Sequence, residues 1–161
     1  MREAIGGTWL FGLVITFIVF FASFLAVSIN YSKAFNVKNN VVDLIGKYEG
    51  NNCNARKKIS NYLRTTGYLV MGACPEEDAS GICTYKGYDL NGHPVASTKK
   101  AYYWVSLDTT ESSTTIDKQF YRVVIFFRID LPLVGDLTTF SIKGETESIY
   151  YPKNEFDTYC S

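Results

Sequence analysis

The sequence predicts an α+β fold: a long amino-terminal helix, membrane-spanning in its first half and amphipathic in its second, packed on an antiparallel β-sheet. Three observations predict it. Gly6 to Ile29 contains no charged residue. No proline occurs before Pro75 and no glycine between Gly12 and Gly46. Nothing in the backbone therefore punctuates the passage from the apolar run into the charged stretch that follows. From Tyr68 onward the apolar period changes to two, the period of strands.

The charge-free run covers about 36 Å at 1.5 Å per residue, enough to cross a hydrocarbon core of about 30 Å. A cleaved signal peptide would have a shorter apolar region, a stronger basic start and a small-residue cleavage site behind it. Here Ser28, Ile29 and Asn30 run on into helix-compatible sequence. Beyond the span, Tyr31, Ala34, Phe35, Val41, Val42, Ile45 and Tyr48 recur at helical steps, while Ser32, Lys33, Asn36, Asn39, Asn40, Asp43 and Lys47 occupy the other side. That is one apolar stripe on a continuing helix of about 40 residues, ended by Gly50-Asn51-Asn52. The chain divides accordingly into a tail and transmembrane helix, 1–30, and an α+β domain continuing the same helix, 31–161.

A second helix is expected over Asn54–Thr66, with Ile59, Tyr62 and Leu63 inward and Gly67 as its stop. Strands are expected at Tyr68–Ala73, Ile82–Tyr88, Ala101–Leu107, Gln119–Leu131 and Thr138–Tyr150. Turns fall at Asn91-Gly92, Asp108–Thr115 and Pro132–Asp136. Within Gln119–Leu131, Tyr121, Val123, Ile125, Phe127, Ile129 and Leu131 share one apolar face, opposite Arg122, Arg128 and Asp130. This predicts a sheet covered on one side only, with the amphipathic half of the long helix as its cover.

Cys53, Cys74, Cys83 and Cys160 all follow the span. An even count in a small tyrosine-rich domain predicts two disulfides in an oxidising compartment, hence a domain outside the cytoplasm. Cys74–Cys83, closing a short loop, with Cys53–Cys160 is one pairing; Cys53–Cys74 with Cys83–Cys160 is another. The distribution of Lys and Arg points the other way. Lys33, Lys38, Lys47 and Arg56-Lys57-Lys58 lie after the span and only Arg2 before it, which by the positive-inside rule favours a cytosolic domain.

The formal charge is zero, with 16 basic and 16 acidic residues, and gives no overall attraction to nucleic acid. Neither a phosphate-binding glycine loop nor a nucleophile elbow occurs, and His93 is the only histidine, so no metal cluster or catalytic triad can be assembled around it. No enzymatic activity, cofactor, metal or small-molecule substrate is expected. His93 reads as a solvated turn residue, Glu76-Glu77-Asp78 as a solvated loop, and Tyr102-Tyr103-Trp104 as strand packing.

The span carries a further pattern. Thr8, Gly12, Thr16, Ser23, Ala26 and Asn30, with Val19 among them, recur at steps of three and four. They form a narrow face of small side chains on a helix otherwise built of Leu10, Leu13, Phe17, Phe20, Phe21 and Phe24. Small faces let helix backbones approach closely in lipid, where the hydrophobic effect offers no help. This is a candidate helix-assembly face.

Two stretches carry a resemblance. One is the start, Gly6-Gly7, the aromatic-rich span and "AFNVKNNVVDLIGKYEG"; the other is "YRVVIFFRIDLPLVGDLTTFSIKGETESIYYP" from Tyr121 to Pro152. Together they resemble the pilin-like proteins of bacterial type IV filament systems, in particular the TadE-like family of tight-adherence (Flp) pilus assembly. The resemblance implies a non-enzymatic minor pilin or pseudopilin, with processing at Gly6 or Gly7, although the span lacks the acid usual in such helices. Its implied partners are membrane lipid and other pilin-like subunits or itself, met through the transmembrane helix, with the protein in the cell membrane or a surface filament. The alternative expectation is a monomeric, membrane-anchored extracellular domain that binds or senses a ligand.

Overall fold

The computed structural model describes residues 2–110, 118–131 and 135–150. Helix α1 runs unbroken over Arg2–Lys47, 46 residues, or roughly 70 Å. The chain leaves it through Glu49 and Gly50, both at positive φ. Helix α2 spans Cys53–Thr66; the Asn52 side chain accepts from Ala55 N at its start, and Gly67 at φ 64° closes it. Both ends thus follow ordinary capping chemistry.

Six strands follow: β1 (Lys86–Tyr88), β2 (Pro94–Val95), β3 (Tyr103–Thr110), β4 (Lys118–Leu131), β5 (Gly135–Glu145) and β6 (Ile149–Tyr150). They form one antiparallel sheet in the order β2-β1-β3-β4-β5, with β6 pairing the start of β4. The α+β architecture, with its long apolar amino-terminal helix, is as expected. The last expected strand, Thr138–Tyr150, is two strands separated by residues 146–148, and β3 and β5 each run into an expected turn, to Thr110 and from Gly135. Tyr68–Ala73 is not a strand. It makes a single bridge, Gly72 to Ala101, and of Ile82–Tyr88 only Lys86–Tyr88 is strand.

One face of the sheet packs on the helices. Ala34, Val37, Val41 and Ile45 of α1, with Ile59 and Leu63 of α2, meet Tyr103, Val105, Tyr121, Val123, Ile125 and Phe127. Complete burial of an aliphatic side chain contributes about 1.5–3 kcal/mol, so the second half of α1 belongs to the core of the domain. The expected face of β4 is present from Tyr121 to Phe127. Ile129 and Leu131 lie outside the residues whose side chains are described.

The opposite face is also covered, which corrects the expectation of a one-sided sheet. Val124 and Phe126 are buried with Tyr85, Ala101 and Trp104. The cover is the segment from Tyr68 to Tyr85. Gly72 exchanges both backbone hydrogen bonds with Ala101 and accepts from Trp104 Nε1 at 3.1 Å. A Cβ on Gly72 would sit 2.2 Å from the Phe126 ring, so only glycine lets this segment lie flat on the sheet. Farther along, Glu76 reaches Lys143 of β5 at 3.5 Å.

Candidate functional site: the anchor helix and the domain end it enters

From Gly7 to Ile29 every side chain of α1 is exposed or half-buried, none buried. This is the one described helix long and apolar enough to cross a membrane. From Ala34 onward, every third or fourth residue is buried. The change from bare to covered occurs within a single turn, with no break in the helix.

Thr8, Gly12 and Thr16 are exposed, while Ser23, Ala26 and Asn30, like Val19, are half-buried. At 100° per residue these positions and the buried Ala34, Val37, Val41 and Ile45 all fall within an arc of about 100°. The small-residue stripe of the span and the core stripe of the domain are therefore one continuous line. Val37, which the sequence reading passed over, completes it. Thr16 Oγ1 donates to Gly12 O at 2.9 Å and Ser23 Oγ to Val19 O at 2.9 Å. Both hydroxyls are thus satisfied inside their own helix, so the face offers small size rather than free donors. A Cβ on Gly12 would meet nothing within 4 Å. Gly7 is likewise open, and the side-chain surroundings of Gly6 lie outside the described residues.

Cys74 and Cys83 form a disulfide, which excludes the Cys53–Cys74 pairing. Cys53 is also disulfide-bonded; Cys160 lies outside the described residues. Between them, the Cys74–Cys83 loop is held by Asp78, whose Oδ1 accepts from Ser80 N and Ile82 N. Among the described residues no group of His, Cys, Asp and Glu is arranged to hold a metal ion. His93 is in an exposed turn, with Asp89 Oδ1 accepting from its backbone N.

Two further features lie away from the anchor. Arg122 on β4 bridges its neighbouring strands, 3.1 Å from Asp108 of β3 and 2.9 Å from Glu145 of β5. Its hydrogen bond to Glu145 holds the guanidinium in its charged form beyond the ordinary range. An open cleft of about 580 Å³ lies where α2 begins, lined by Asn51, Arg56, Tyr85, Tyr88 and Tyr121 among others. There the Arg56 guanidinium lies 5.3 Å over the Tyr88 ring.

Fold and site together define an α+β protein whose first helix is apolar enough to cross a membrane and whose domain carries a disulfide. No family model, curated protein or solved structure matches the chain.

Proposed function

We propose that this protein is a non-enzymatic, single-pass, pilin-like membrane subunit of the TadE-like type. In this reading it assembles through its anchor helix and carries the α+β domain outside the cytoplasm, as a component of a Tad-type pilus or related secretion filament. The observation that carries the reading is the continuity of α1. One helix is bare over its apolar half and forms the domain core over the other, with a single small-to-buried stripe along both. A simple tether has no need of such rigidity, whereas a subunit that transmits lateral packing to its domain does. The Cys74–Cys83 bond supports an oxidising compartment over a cytosolic one.

The test replaces Gly12 or Thr16 with leucine, which fills the face while keeping the span apolar. Both variants should insert, fold and form the Cys74–Cys83 bond. Crosslinks to neighbouring subunits in the native membrane should be lost, together with surface filaments or secretion. Phe20→Leu, on the bulky side, is the control and should assemble. If both stripe variants crosslink like the parent, lateral assembly through this face is refuted. A membrane-anchored binding module is the second reading, favoured by the cleft beside Arg56 and Tyr88. It expects intact function in the stripe variants and loss on Tyr88→Ala.

A further inference from the structure

We propose that the end of the domain nearest the span is itself seated in the interfacial layer of the bilayer, with Tyr31, Phe35, Leu69, Met71 and Phe140 facing lipid. The proposal rests on the reading of α1 as a membrane span.

The two ends of the domain are fixed by contacts along α1. At the far end, Gly50 abuts the Tyr121 hydroxyl, and Tyr121 pairs with Leu107. At the near end, the Tyr31 ring meets Phe127 edge-on at 5.8 Å, and Phe127 stacks on Phe140 at 5.5 Å. Tyr31 and Lys47 are separated by roughly 24 Å of helix, so the ends lie at well-separated heights.

Exposed apolar side chains concentrate at the near end. Tyr31 is 50% exposed, Phe35 40% and Phe140 44%. Leu69 and Met71, 58% and 42% exposed, cross the same end of the sheet. Just before them the Tyr68 hydroxyl donates to Phe126 O, and just after them Gly72 lies on the Phe126 ring. Singly scattered surface hydrophobics need no explanation; five gathered around one end of a sheet do.

The height of that end matches the membrane boundary. Tyr31 is two residues past Ile29, where the apolar run meets Asn30, so its Cα stands roughly 3 Å beyond it. The polar layer on each side of the hydrocarbon is about 5–8 Å deep. Phe35 starts one turn higher, but helical side chains point back toward the amino terminus, and its ring stacks 6.3 Å from that of Tyr31. Tyrosine rings favour this layer, and Tyr31 places one there. Basic groups stand beside them: Lys33 is exposed and Lys38 Nζ lies 4.1 Å over the Phe35 ring. Both stems can extend along apolar surface toward lipid phosphates. A lipid surface is the partner that this combination of rings, aliphatic side chains and ammonium groups fits, because the chain already enters one there.

The experiment is quenching of tryptophan emission by lipids brominated on their acyl chains, using full-length protein reconstituted in phosphatidylcholine vesicles. Trp9 of the parent reports the span. In a Trp9→Phe background, Phe140→Trp and Phe35→Trp report the near end, and Leu107→Trp the far end. The buried Trp104 supplies a constant background. In the Phe140→Trp and Phe35→Trp variants the introduced indole should lose most of its emission to lipid brominated near the headgroup. In the Leu107→Trp variant it should lose none. Reporting two near-end positions protects the test against one misfolded variant. Quenching of Trp9 in the parent, with no quenching in either near-end variant, overturns the seating and leaves the span intact. An unquenched Trp9 overturns the span itself. Quenching in the Leu107→Trp variant equal to that in the Phe140→Trp variant overturns the proposal in favour of a domain lying flat on the membrane.

Discussion

Asn36→Pro separates a rigid, continuous helix from a tethered domain. Asn36 is exposed, so the substitution removes little packing. It lies between buried Ala34 and Val37, at the point where α1 has just entered the core. Proline there deletes the hydrogen bond that residue 36 donates to the carbonyl one turn back and drives its ring into that turn, at about 3 kcal/mol or more. Against a total stability of about 5–15 kcal/mol this is a large fraction. For a domain of this size each kcal/mol moves the midpoint by about 3–5 °C, so Tm should fall by roughly 10–15 °C. Asn36→Ala is the control, since it keeps the backbone bond and the better helix former adds at most about 0.7 kcal/mol. Near-ultraviolet circular dichroism of detergent-solubilised protein reads the melting of the core around Trp104. A proline variant melting with the parent would refute the argument, because it would mean that the helix does not run from anchor to core as one element.

Gly72→Ala should destabilise the domain by about 1–3 kcal/mol through overpacking against Phe126. Gly46→Ala, open on the same helix as the anchor, should stabilise by about 0.5–1 kcal/mol, both read as Tm. Burial pushes the Tyr103 phenol well above its ordinary pKa of 10.0. The unfolded chain therefore loses this proton first, so the contribution is intact below about pH 10 and stability falls as pH rises beyond it. Tyr103→Phe should flatten that alkaline loss. It should cost little at pH 7, since among the described residues the buried hydroxyl has no hydrogen-bond partner; a loss above about 3 kcal/mol there would contradict this. Replacing Cys74 and Cys83 together by serine should cost up to about 2.5 kcal/mol for a loop of this length. In unreduced whole-cell protein, probed after denaturation, no thiol should react; four reactive thiols would place the domain in the cytosol.

What the sequence made legible was whatever repeats along one element. The unbroken α1 followed from the absence of punctuation between Gly12 and Gly46, and α2 from its stop at Gly67. The helix-facing side of β4 followed from alternation. The second core did not, because its cover has no period. The segment 68–85 is held by one backbone bridge and one glycine-to-ring contact to residues distant in sequence, and by a disulfide within itself. A signal was nonetheless present: Val123-Val124-Ile125-Phe126-Phe127 is an uninterrupted apolar run, the mark of a strand buried on both faces. Arg122 and Arg128 at its ends mark one face as solvated, yet Val124 and Phe126 between them lie on that same face and are buried. The stripe of the span was visible from composition, but its alignment with the core stripe rests on knowing which face of α1 the sheet covers.

That alignment fixes a heading as well as a distance. Because α1 has no joint between Gly7 and Lys47, whatever holds its apolar half also sets the compass direction of the sheet packed on its other half. One residue inserted between Asn30 and Ala34 would turn the sheet by about 100° relative to the small-residue face, and seven would bring it back to within about 20° while lifting it by about 10 Å. Orientation and height can thus be altered separately by the length of a single helix. A ladder of insertions from one to seven residues would show which of the two the cell reads.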